Sequence, residues 1–77
     1  MALSPKQIKN LKTGDILRMT TQNGQGDYHL DAKVVVISVG TAGSLVQITE
    51  ILSKGEANMT CDGDRLVATF AELEILK

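Results

Sequence analysis

The residues most able to perform chemistry in this 77-residue chain are its single histidine and single cysteine, His29 and Cys61. Structural zinc takes about four nitrogen or sulfur ligands, and these two side chains supply only half of that set. A Cys–His nucleophile pair would also need an orienting group and an oxyanion site, and the sequence signals neither. We therefore predict no metal site, no cofactor and no catalytic residue.

Two glycine-containing segments resemble ion-binding loops without completing them. Asp62-Gly63-Asp64 resembles the opening of a calcium loop, but no ligand follows at the required spacing and no glutamate closes it. Asn23-Gly24-Gln25-Gly26 lacks the Gly-Lys-Ser/Thr of a phosphate cradle and precedes a strand rather than a helix. We interpret Asp62-Gly63 as a turn.

The polar loop around residues 22–27 is the best candidate for ligand contact, because function tends to lie on loops of this kind. The candidate contact residues are Asn23, Gln25, Tyr28 and His29. A solvated connector accounts for the same composition, and both interpretations stay open at this point.

A basic N-terminal segment is the alternative site. The chain has a formal net charge of −1, yet Lys6, Lys9, Lys12 and Arg18 all fall in its first quarter. Cations attract phosphates, but single-strand binders also need stacking platforms, and Tyr28 and Phe70 are the only aromatic residues. Nucleic-acid binding through the four cations is therefore an alternative function.

The elements that would position these residues are those of an all-β domain. Ser4-Pro5-Lys6-Gln7 has the pattern of a capping box and predicts a short helix over about residues 5–10. Thr69-Phe70-Ala71-Glu72 predicts one helical turn before the last strand. Six strand segments are predicted, over residues 16–21, 30–39, 44–52, 57–61, 65–69 and 74–76.

Alternation along the strands assigns side chains to faces. In segment 57–61 it makes Cys61 a small buried hydrophobe. In segment 44–52 it groups Leu52 with Val46 and Ile48, and it places Ile51 on the opposite face. Glu50 interrupts the first of these groups.

The end of segment 30–39 is apolar on both faces, which a strand wet on one side would not be. Val35, Ile37 and Val39 form the second face. Such a face lies under the lid formed by Ile8 and Leu11, or against a second subunit. The sequence thus predicts self-association through these three residues.

The layout resembles an SH3-like barrel over about residues 12–76. A Gly14-Asp15 turn leads into the first strand, a polar loop follows, and residues 70–73 would form the helical turn before the last strand. The family has five strands, so one of segments 57–61 and 65–69 is extra or part of an elaborated hairpin. Two aromatic residues cannot build the grooves that read proline-rich peptides or the cages that read methylated lysine.

One enzyme class is similar in size and layout, the type II dihydrofolate reductases. Their pore is lined by a Val-Gln-Ile-Tyr run in the strand before the helical turn. Val46-Gln47-Ile48-Thr49 resembles this run, but it lies on an earlier strand and has Thr in place of Tyr. The resemblance implies an oligomeric pore enzyme that binds a nicotinamide cofactor, and this is the second alternative function.

At this length the chain is expected to form a single domain over residues 1–77, in the cytoplasm and with no membrane partner. We predict a non-catalytic binding or assembly module whose partner is a protein or a second copy of itself. The small size fits a phage, mobile-element or accessory bacterial gene.

Overall fold

A computed structural model describes residues 3–21 and 26–76. It contains one helix, α1 (Pro5–Lys9), and two 3₁₀ turns, Gly26–Tyr28 and Phe70–Glu72. The five strands are β1 (Ile16–Thr21), β2 (Leu30–Val39), β3 (Gly43–Lys54), β4 (Arg65–Thr69) and β5 (Leu73–Ile75). The prediction of an all-β domain with a short N-terminal helix and one turn before the last strand is confirmed.

The strands form one antiparallel sheet in the order β4-β3-β2-β1-β5. The last strand pairs with the first, so β1 lies between β2 and β5. Residues 57–61 form no strand. Their segment is instead a loop that hydrogen-bonds back to the chain before β2, with Gly55 N donating to His29 O at 2.9 Å and Ala57 N donating to Asp27 O at 2.8 Å.

Three irregularities in the pairing of β2 with β3 curl the sheet. The register shifts where Leu52 and Thr49 are extra residues on β3, and where Ile37 is extra on β2. Each bulge increases the local twist and turns the following side chains to the other face.

Because of these bulges, Ile51 and Leu52 of β3 lie on faces other than those predicted. Ile51 pairs with buried Ala32 and packs against the core, whereas Leu52 is 43% exposed. Glu50 lies opposite Lys33 on the outer face, where the two charged groups are 3.4 Å apart. Because the bulge at Thr49 turns Glu50 to the outer face, Glu50 does not interrupt the row of core side chains.

One face of the curled sheet encloses the core. Its buried members are Leu3, Leu17, Met19, Leu30, Ala32, Val34, Val36, Val46, Ile48, Ala68 and Leu73. Ile8 and Leu11 pack against this cluster, so the predicted lid covers the core and not the face of Val35, Ile37 and Val39. Leu3 N donates to Leu73 O at 3.2 Å and fastens the segment before α1 to β5.

The predicted capping box of α1 is present, with Gln7 N donating to Ser4 Oγ at 3.2 Å and Ser4 N donating to Gln7 Oε1 at 2.8 Å. With five residues, α1 depends on its packing against the sheet rather than on its own stability. Within the described chain, no helix has the length and apolar character needed to cross a bilayer.

Candidate interaction surface on the outer face of the sheet

The outer face of the sheet carries a group of apolar side chains that the core does not use. Pairing brings Ile16 of β1 opposite Val35 of β2, and Leu45 of β3 opposite Val67 of β4. Ile37, the bulged residue of β2, alternates with buried Val36 and so lies on the outer side with them. We call Ile16, Val35, Ile37, Leu45 and Val67 the outer patch.

All five members of the outer patch are accessible, and Ile16 and Val67 are 48% and 73% exposed. Strand spacings of about 4.8 Å and a two-residue repeat of about 6.6 Å give the patch a footprint on the order of 250 Å². Ordinary monomers expose apolar patches of this size, and the largest such patch on a small domain is often functional.

The predicted interface is thus partly relocated. Val35 and Ile37 belong to the outer patch, but the bulge at Ile37 brings Val39 opposite Ser44, whose side chain is buried. Directly opposed residues share a face, so the expectation that Val39 continues the row of Val35 and Ile37 is corrected. Val39 lies 41% exposed at the end of its strand.

Sequence reasoning missed Ile16, Leu45 and Val67 as members of this surface. Alternation did separate Val67 from Leu66 and Ala68, and Leu45 from Val46. These residues lie beside Val35 because of the register in which the strands pair. The residue pattern of a single strand contains no information about that register.

A second part of the outer face carries charged groups that pair with one another. Arg18 donates from Nε to Asp31 Oδ1 at 2.8 Å and from its terminal nitrogen to Asp31 Oδ2, and its Nε lies 3.7 Å from Glu74 Oε1. Hydrogen bonding to Arg18 lowers the pKa of Asp31, and the same bond raises the pKa of Arg18. Arg18 is therefore bound to carboxylates on the sheet.

The other predicted cations lie outside the sheet. Lys6 and Lys9 are exposed on α1, and Lys12 is exposed on the connection to β1. The structure does not bring Arg18 and these lysines into one cluster, because Arg18 lies on the sheet face within its own ion-pair network.

The predicted ligand loop is described only in part, since Asn23 and Gln25 lie outside the described residues. Tyr28 is 54% exposed, and His29 Nε2 lies 2.8 Å from Ser53 Oγ of β3. Asn58 Nδ2 donates to Tyr28 O at 2.9 Å and binds this loop to the one between β3 and β4.

The contact between His29 and Ser53 contains two members of a nucleophile–base arrangement. Asp31 is the residue opposite Ser53 in the sheet, and both of its carboxylate oxygens accept from Arg18. The contact joins the residue before β2 to the end of β3.

Cys61 corrects a further expectation. The residue is exposed, and its Sγ lies 3.5 Å from Met59 O in the loop between β3 and β4. Because this segment is not a strand, alternation does not apply to it. The turn predicted at Asp62-Gly63 is confirmed, with Asp64 N donating to Cys61 O at 3.1 Å and Gly63 at φ +88°.

A shallow groove of about 340 Å³ lies between α1 and the β1–β5 edge. Its walls are Gln7, Asn10, Leu11, Asp15, Ile16, Leu17 and Ile75. Among residues 3–21 and 26–76, no group of three or more His, Cys, Asp or Glu side chains is arranged to hold a metal ion.

Comparison with known proteins finds no matching family model, no significantly similar curated protein and no significantly similar solved structure.

Proposed function

We propose that this chain is a non-catalytic assembly module that self-associates through the outer patch, and that its strands form an SH3-like barrel. The barrel is supported by five antiparallel strands, the pairing of β1 with both β2 and β5, and the 3₁₀ turn directly before β5. The observation that supports self-association is the apolar patch across four strands, left exposed on a domain whose core is already complete.

The size of the patch limits the affinity that it can supply. Burying about 250 Å² on each of two copies contributes about 12 kcal/mol at ~25 cal/mol per Å². Association costs about 4–15 kcal/mol in lost freedom, so the balance corresponds to a dissociation constant in the micromolar range or weaker. A standard interface covers about 800 Å² per partner. The polar residues around the patch, such as Gln47 and Arg65, would complete that area.

The test is sedimentation velocity of the wild type from about 5 to about 500 µM, a range that brackets this affinity. Val35→Asp places a charge in the centre of the patch, and we expect it to abolish the association that runs through the patch. Lys33→Asp is the matched control, because it adds a carboxylate to the same strand and face but outside the patch, opposite Arg18. A wild type that stays monomeric throughout this range would contradict the proposal.

Nucleic-acid binding is the weaker candidate. Its support is the exposed trio Lys6, Lys9 and Lys12, and Arg18 does not add to it because Asp31 and Glu74 bind that side chain. Three phosphate contacts would show a steep loss of affinity with salt, which fluorescence anisotropy with a labelled oligonucleotide would detect.

The pore-enzyme alternative receives no support from the side-chain directions. Val46 and Ile48 are buried in the core of a single chain, and Gln47 and Thr49 are the members of that run that lie on the outer side. A pore lined by the whole run would require the side chains of Val46 and Ile48 to leave the core.

A further inference from the structure

The strand β4 has a free edge whose donors and acceptors match a second copy of itself. β4 ends the sheet order, and within the described residues it pairs with β3 alone. Hydrogen bonds at its two ends show which of its residues bond to β3, with Ile48 N donating to Asp64 O at 2.9 Å and Phe70 N donating to Ala42 O at 3.4 Å. Because backbone groups alternate in direction along an antiparallel pair, Arg65, Val67 and Thr69 direct theirs away from β3.

We infer that two copies of the chain pair β4 with β4 in an antiparallel register centred on Val67. This inference goes beyond the proposed function, because it concerns the edge of the sheet rather than its outer face. Either association can exist without the other.

The register follows from the groups that are available. Thr69 N already donates to Glu72 Oε1 at 3.0 Å, so it is not offered to a partner. With Val67 opposite Val67 of the second copy, each Val67 N donates to the other's carbonyl. Each Arg65 N then donates to Thr69 O of the second copy. This register leaves no outward donor of Arg65 or Val67 without an acceptor.

Charge favours the same register and a second copy as the partner. Glu72 Oε1 accepts from both the amide and the hydroxyl of Thr69, the latter at 3.1 Å, which holds its carboxylate at the free edge. Arg65, at the other end of β4, would lie beside Thr69 and Glu72 of the second copy. The two-fold axis repeats this pairing, so at each end of the paired strands the Arg65 of one copy lies near the Glu72 of the other.

The edge also lacks the usual protection against pairing. Natural edge strands carry charges, prolines or bulges along their length. β4 has an exposed valine at its centre, no proline, and a regular register with β3. Its one charged residue, Arg65, is the residue that the register pairs with an acid.

The first test uses proline at the centre of the edge. Val67→Pro removes a donor that does not bond to β3, and proline is tolerated at such edge positions. We expect the folded monomer to persist, as judged by circular dichroism, and dimerisation measured by sedimentation to weaken at least tenfold through the loss of the two central hydrogen bonds. Val67→Thr keeps the donor and the branched shape, and should dimerise as the wild type does.

The second test reads the register by disulfide formation in a Cys61→Ser background, which removes the chain's only other thiol. Val67→Cys should form a disulfide-linked dimer on mild oxidation. Arg65→Cys alone should not, since two copies of residue 65 lie about 13 Å apart in this register, too far for a disulfide. Arg65→Cys mixed with Thr69→Cys should form the mixed dimer.

Combining these variants distinguishes association through the β4 edge from association through the outer patch. Cross-linking of Val67→Cys that persists when Val35→Asp is added supports pairing through the edge. Wild-type self-association that Val35→Asp abolishes and Val67→Pro leaves unchanged would overturn the inference and leave the proposed function standing. Efficient cross-linking of Arg65→Cys alone would overturn the register.

Discussion

The close approach of β3 to β4 makes Gly43 a strong test of the packing. Gly43 lies opposite Thr69, at the point where β4 leads into the second 3₁₀ turn. A Cβ atom built on Gly43 would lie 2.3 Å from Ala68 O and 3.1 Å from Thr69 Cα. Both contacts are with backbone, so no side chain can rotate away to relieve them.

We expect Gly43→Ala to destabilise the domain. Overpacking of this kind costs about 1–3 kcal/mol, and the loss of chain entropy in the unfolded state offsets about 0.4–1 kcal/mol of it. A net loss of about 1–2 kcal/mol corresponds to a fall in Tm of about 4–16 °C for a domain of this size. Thermal unfolding followed by circular dichroism would measure it.

Gly63 offers a control with a different physical cause. It has φ +88° and no heavy atom within 4 Å of a Cβ, so its substitutions are strained by conformation alone. Asparagine tolerates the left-handed region better than alanine does. Gly63→Asn should therefore be more stable than Gly63→Ala, whereas Gly43→Asn should be no more stable than Gly43→Ala. A Gly43→Ala protein as stable as the wild type would refute the close approach of the two strands.

Two further predictions concern charge and reactivity. Asp31→Asn should lower Tm by about 2–5 °C at pH 7, because it removes the carboxylate that Arg18 binds. The pKa of Asp31 is lowered in the folded state, so the stability that the ion pair contributes is present above the ordinary carboxyl pKa and is lost as pH falls through the folded pKa. The difference in stability between Asp31→Asn and the wild type should therefore vanish in urea melts at strongly acidic pH. A difference that persists there would contradict the ion pair. Cys61 is exposed, so a thiol reagent such as dithionitrobenzoate should modify it in the folded protein as fast as in urea-unfolded chain; protection in the folded state at low protein concentration would contradict the exposed loop.

Local patterns accounted for the ends of elements. Ser4 and Gln7 form the predicted capping box, and Thr69 and Glu72 form the second one at the 3₁₀ turn. Each box depends on residues three positions apart, and that spacing is visible in the sequence itself. Alternation is likewise a local property of a strand, and it separates buried Val34 and Val36 from Val35 and Ile37.

The candidate surface was predictable only in part. Val35 and Ile37 were predicted to form a second apolar face, and both lie on the outer patch. Val39 and Leu52 were assigned to the wrong faces, because a bulge is set by the partner strand rather than by its own residues. Cys61 was placed in a strand that does not exist, because its loop instead hydrogen-bonds to the chain before β2.

The start of α1, the glycine turns and the aliphatic character of the core were predictable without coordinates, because capping, glycine conformation and composition act over a few residues. Tertiary structure alone decided which strands are neighbours, where the sheet bulges and which apolar side chains meet on its outer face. Ile16 and Val67 lie more than fifty positions apart in the chain. The pairing of four strands brings them onto one surface, and that pairing depends on the free energy of the whole sheet rather than on any single segment.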